Sequence, residues 1–147
     1  MVDLTSGKLS PTSYPMNTLP PSRESGTCLW VFAIPLTQEE IKQHPRYADV
    51  VRLRANRHYD DEKGLDPVRG AVLGSLGTRT RKVWKPARLG LVEINEAGRL
   101  EFSIVLADNS NLSKLPNAEQ LEAIKNVLCV TKDLMWYYAD DGNVQSR

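Results

Sequence analysis

The sequence predicts an α+β domain: an antiparallel sheet of four or five strands packed by helices, with a long C-terminal amphipathic helix and an extended N-terminal arm. Three observations carry that expectation. Residues 27–34 form an apolar run in which Trp30, Phe32 and Ile34 alternate with Leu29, Val31 and Ala33. Both faces are hydrophobic, the pattern of a central strand covered on both sides. Leu100, Phe102, Ile104 and Leu106 alternate with Arg99, Glu101 and Ser103, as in a half-buried strand. Leu121, Ile124, Leu128, Met135 and Tyr138 recur at helical spacing, with Val127 and Leu134 beside them.

At 147 residues, 41% apolar and 25% charged, the chain fits one soluble domain. A domain of that size buries roughly 68–70% of its unfolded-chain surface, so it needs neither metal nor disulfide to fold, and no cofactor is expected. The expected boundaries are an arm over 1–26, a single domain over 27–142 and a tail over 143–147. No stretch approaches the ~18 apolar residues of a membrane span. The first residues lack a basic region followed by an apolar core, so no secretory signal is expected. The expectation is therefore a cytoplasmic protein with no membrane partner. Cys28 and Cys129 lie in apolar segments and are expected to be buried free thiols, with a single disulfide between them as the alternative.

Taken in order, the arm carries Pro11, Pro15, Pro20 and Pro21 among Ser and Thr, which excludes a helix or a central strand. After the first strand, Thr37 and Glu40 fit a capping box, and Leu36 with Ile41 fits a hydrophobic staple. Pro45 then ends this helix or begins a second. Residues 46–57 carry both periodicities, and helix is the expectation. Residues 58–67 read as a polar loop. Residues 70–76, broken by Gly74 and Gly77, are expected to form a short or bulged strand. Residues 78–84 alternate and are expected to form another. Residues 89–106 are the clearest hairpin. Its turn, Asn95-Glu96-Ala97-Gly98, suits a type I turn with Gly98 left-handed in a bulge. Val92 and Ile94 are then expected to face Phe102 and Leu100. The last helix begins at Asn117, with Gln120 completing a capping box. Gly142 is its expected stop. About 22 residues would span roughly 33 Å.

The chemistry-bearing feature is a basic segment free of acids. Between Asp66 and Glu93 lie Arg69, Arg79, Arg81, Lys82, Lys85 and Arg88, six positive charges in a chain whose net charge is +1. Such a block implies an anionic partner or a matching acidic interface, although a solvated edge strand uses cations too. On a strand, Arg79, Arg81 and Lys85 share one face, and Thr78, Thr80, Lys82 and Trp84 the other. Cations spaced along a strand suit a phosphate backbone, and Trp84 or Trp30 would add base stacking. The expected nucleic-acid contacts are Arg79, Arg81, Lys82, Trp84, Lys85 and Arg88. Trp136 and Tyr137 fall off the apolar face of the expected C-terminal helix. They are therefore expected at an interface, which with the arm suggests a homo-oligomer.

Other motifs point to chemistry less directly. Gly70, Gly74 and Gly77 match neither phosphate-loop fingerprint. His58, Asp60, Asp61 and Glu62 crowd one loop, but Gly64 comes too late for a calcium loop. With only His44 and His58 and no zinc set, no catalytic or metal residue is assigned. The strand at 100–106 leading through a short loop into a terminal amphipathic helix resembles the coat proteins of small RNA phages. The resemblance covers about the last third of the chain, and the capped helix from Thr37 does not fit that architecture. It implies helices paired across a dimer and RNA bound on the sheet. The functional expectation is a non-enzymatic binding or assembly subunit contacting nucleic acid, RNA before DNA. The alternatives are an adaptor for an acidic protein and a small enzyme of unknown reaction.

Overall fold

The computed structural model describes residues 13–15, 19–20, 29–53, 67–95 and 97–139. The elements are β1 (Ser13–Tyr14), β2 (Leu29–Pro35), α1 (Gln38–Gln43), α2 (Pro45–Leu53), α3 (Pro67–Val83), β3 (Arg88–Glu93), β4 (Leu100–Asp108), α4 (Ala118–Leu128) and β5 (Met135–Ala139). The strands form one sheet in the order β1-β5-β2-β4-β3, every neighbouring pair antiparallel. The α+β class and the antiparallel sheet with helices on it are therefore as expected. Of the N-terminal arm only short pieces are described, and Ser13–Tyr14 pairs with β5. Cys28 and the His58–Glu62 cluster lie outside the described residues. No helix among the described residues is long and apolar enough to cross a membrane.

The central strand β2 is buried along its whole length, as its two apolar faces require. Its faces differ in size. Trp30, Phe32 and Ile34 join Ile104, Leu106 and Trp136 in the main core. All four helices pack there, through Ile41 of α1, Val50 of α2, Val72, Leu73 and Leu76 of α3, and Ile124 and Leu128 of α4. The opposite face carries Leu29, Val31 and Ala33 with Val92, Val105 and Ala139. Gly90 and Ser103 occupy the same side by register. Small residues inside and large ones outside let the sheet curl. Flat neighbours three strands apart would stand about 14 Å from each other, yet β3 and β5 approach to within 8 Å between Cα atoms.

The two helix caps follow the sequence. The Thr37 side chain accepts the Glu40 N–H at 3.1 Å, and the Glu40 carboxylate accepts the Thr37 N–H at 2.9 Å. Asn117 and Gln120 reciprocate in the same way at 2.8 and 2.9 Å. The hairpin is present, and Gly98 has a φ of 79°, the left-handed conformation that glycine adopts without strain. Its register is one residue from the expected one. Leu91 pairs with Phe102, Val92 with Glu101 and Glu93 with Leu100, so Val92 faces the inner cluster rather than Phe102.

Three expectations are corrected. Residues 67–83 form one helix, not two strands. Pro67 opens it at the position where a missing N–H costs nothing, and Val68, Val72, Leu76 and Thr80 step along its core side. The long C-terminal helix is not found. α4 ends at Leu128, and Cys129 takes a left-handed φ of 57°. The chain then returns to the sheet as β5, where Met135, Trp136, Tyr137 and Tyr138 alternate between faces. The likeness to a phage coat protein therefore lacks its terminal helix. Cys129, expected to be buried, is exposed at that cap.

A buried ion pair ties the inner face to the end of β4. Arg88 Nη2 donates to Asp108 Oδ2 at 2.7 Å, and each side chain is 7% exposed. Asp108 Oδ1 accepts the Ser110 N–H at 2.8 Å, and Asn109 then extends the ladder by exchanging hydrogen bonds with the Trp30 backbone. Truncating one member strands a buried charge. Asp108→Ala should therefore cost about 3–5 kcal/mol in denaturant unfolding, whereas Arg88→Met with Asp108→Leu should cost far less than two such losses. A double variant as unstable as the sum of the singles would contradict this reading.

A second ion pair links α1 to the segment before β5. Lys132 Nζ lies 2.7 Å from Glu40 Oε1. Partial burial works to raise the Glu40 pKa, but the Lys132 contact and the Thr37 hydrogen bonds outweigh it and hold the carboxyl below the ordinary glutamate value. A depressed folded pKa stabilises above the unfolded value and is lost as pH falls through the folded one. Glu40→Gln should thus lower stability at pH 7, and its difference from wild type should shrink as pH falls below about 4.3. Urea unfolding at several pH values checks the sign.

Candidate cationic site

The site is built from the last turn of α3 and the turn that follows it. Seen as a helix, the basic segment sorts its side chains differently from a strand. Thr80 is fully buried, its hydroxyl donating to the Leu76 carbonyl at 2.8 Å. Arg79, Arg81, Lys82 and Lys85 are all exposed. Arg81 donates to the Ala87 carbonyl at 3.5 Å and to the Thr78 hydroxyl at 3.2 Å, so it also pins the turn into β3. Arg79, Lys82 and Lys85 make no ion pair among the described residues. Two cations in the final helical turn offset the helix dipole. Arg79 and Lys82, three apart on one face, repel each other by a few tenths of a kcal/mol.

Two residues expected in this set serve the fold instead. Arg88 is held by Asp108 on the inner face of the sheet and is not available to a partner. Trp84 donates its indole N–H to the Leu106 carbonyl at 2.6 Å and packs on the main core. Leu106 is the residue skipped in the β2–β4 register, so its carbonyl leaves the ladder there and Trp84 satisfies it. Trp30 is buried. Of the tryptophans expected to stack on bases, Trp30 is a core residue and Trp84 is half-buried against the core. Arg69, at the other end of α3, lies 3.5 Å from Glu101 and 4.9 Å above the Phe102 ring.

The expected interface aromatics are also relocated. Trp136 is 0% exposed, its ring centroid 5.2 Å from that of Phe32. Tyr137, on the other face of β5, is half-buried beside the inner cluster, and that burial raises its hydroxyl pKa. The exposure that placed them at an interface came from a helix that does not form. No group of three or more metal-ligating side chains occurs among the described residues.

One further group adjoins the site. A shallow depression beside the α3–β3 turn is lined by Pro86, Leu106, Ala107, Asp108, Asn111 and Lys114. Nothing in the linear sequence joins Lys114 to the basic segment. Only the antiparallel return of β4 brings the loop after it beside Pro86.

The outer side of α3 above the cations is bare. A Cβ added at Gly70 or Gly74 would meet nothing within 4 Å. Glycine inside a helix costs about 0.8–1.0 kcal/mol relative to alanine. Gly74→Ala should therefore stabilise the isolated protein by up to about 1 kcal/mol, read as a higher denaturation midpoint at unchanged slope. A loss of stability would show that the backbone there needs glycine.

No protein family's model matches this chain, and no curated protein or solved structure matches it either.

Proposed function

We propose that this chain is a non-catalytic binding subunit that presents Arg79, Arg81, Lys82 and Lys85 to the phosphates of a nucleic acid. The observation that carries the reading is the set of exposed cations that pair with no acid among the described residues. A helix needs one or two cations to offset its dipole, and this segment supplies more than that. Long cationic side chains on one rigid element can follow a flexible polyanion and release its counterions. Phosphate contacts position a protein without reading sequence, so the expected binding is strong at low salt and indifferent to base order.

The loss of the stacking tryptophans favours a second reading. With Trp30 in the core and Trp84 half-buried with its indole N–H engaged, charge is the main feature that remains, and an acidic protein surface offers charge as well. A salt titration decides between the two. Wild type and an Arg79→Ala, Lys82→Ala, Lys85→Ala variant are titrated against single-stranded RNA and against an acidic protein. Each lost phosphate contact should reduce the log–log salt slope by roughly 0.7, so the variant should lose about 2 units. Exposed positions outside hydrogen-bond networks change stability by little, so the variant should melt with wild type. RNA binding absent at low salt, with the acidic protein bound, would replace the first reading by the second.

A further inference from the structure

We infer that Lys114 and Asn111, distant in sequence from the basic segment, complete the cationic surface, and that one phosphate of a single-stranded nucleic acid lies over the depression between them and Lys85. The inference rests on the nucleic-acid reading above and adds a second wall to that site.

The depression starts where the exposed part of the basic segment ends, since Pro86 lines it and Lys85 precedes Pro86. Lys114 lines the same depression, is exposed, and makes no ion pair among the described residues. Asp108 is the one carboxylate among the described lining residues. Its charge is offset by Arg88 at 2.7 Å and its other oxygen is taken by the Ser110 N–H. An anion approaching that wall meets a neutralised carboxylate rather than a free one.

Asn111 supplies the donor. Its Oδ1 accepts the Ser113 hydroxyl at 2.7 Å and the Ser113 N–H at 3.3 Å. Those bonds fix the amide's orientation and leave its Nδ2 hydrogens unengaged among the described residues. Phosphate binding draws on cationic side chains and on polar donors such as asparagine. Here Lys114 and Asn111 bring both kinds to one recess, and Lys85 precedes Pro86 at its edge. Two of its lining residues, Leu106 and Ala107, are buried core, so the recess is shaped by the fold and not by mobile side chains alone.

The test is a salt titration of single-stranded RNA binding by fluorescence anisotropy, using the full chain. Lys114→Ala, Lys114→Met and Asn111→Asp are compared with wild type. Lys42→Ala, at an exposed cation on α1 that does not line the recess, serves as control. Both Lys114 variants should weaken binding several-fold at low salt and reduce the salt slope by about 0.7. Asn111→Asp keeps the oxygen that Ser113 uses and puts a negative charge where the donors were, so it should weaken binding as well. Lys42→Ala should leave slope and affinity unchanged. Lys114 variants that titrate like Lys42→Ala, while wild type binds RNA, would overturn this inference and leave the wider reading standing. Wild type that binds no RNA at low salt would overturn both.

Discussion

The fold depends on covering β2 from both sides. Every residue of Leu29–Pro35 is buried, and a strand with no solvent face needs two cores. The chain meets that need with unequal layers. Bulky side chains on one face receive the four helices, with the Phe32–Trp136 and Trp30–Tyr138 ring contacts across the β2–β5 pairs. Small side chains on the other face let the sheet bend until β3 and β5 approach. No helix among the described residues joins the inner cluster. A large residue at Ala33 or Gly90 would oppose that curvature, since overpacking a tight core forces backbone shifts.

The cost of so tight a sheet shows in its polar groups. Arg88 reaches Asp108 with one nitrogen, but its Nη1 is buried with no hydrogen-bond partner among the described residues, as is the Trp136 indole nitrogen. A buried donor left unmade costs about 1–3 kcal/mol. The pair is retained because Asp108 serves two elements. One oxygen holds the inner face through Arg88, and the other turns the chain at Ser110 toward α4. The same carboxylate, once neutralised, gives the recess beside Lys114 a wall that does not repel anions. Structure and the proposed binding surface thus draw on one ion pair.

The cations of α3 owe their exposure to the helix that carries them. Its core side is filled by Val72, Leu73, Leu76 and Thr80, which leaves the charged positions to solvent. Arg81 closes the turn into β3, so the surface is built onto the start of the hairpin that forms the edge of the sheet. Cations fixed on a helix and a turn hold a more defined spacing than cations on a loop, which suits repeated contacts along a regular backbone.

The sequence by itself determined the local features: the doubly apolar central strand, both capping boxes, and the hairpin with left-handed Gly98. Each rests on neighbours a few residues apart, where hydrogen-bonding geometry and backbone sterics suffice. It located the cations but not their arrangement. Glycines and threonines in 70–80 suggested strands by propensity, although Val68, Val72, Leu76 and Thr80 already carried the four-residue step of a helix. Packing against α1, α2 and α4 overrode that propensity. In 118–138 the helical spacing ran past the true helix end. Trp136 lies in the sheet instead, where its ring meets Phe32 across the β2–β5 pair. Its burial, the pairing of Arg88 with Asp108 and the placing of Lys114 beside Pro86 all join residues far apart in sequence. Tertiary structure alone decided them, because each depends on which strand lies beside which.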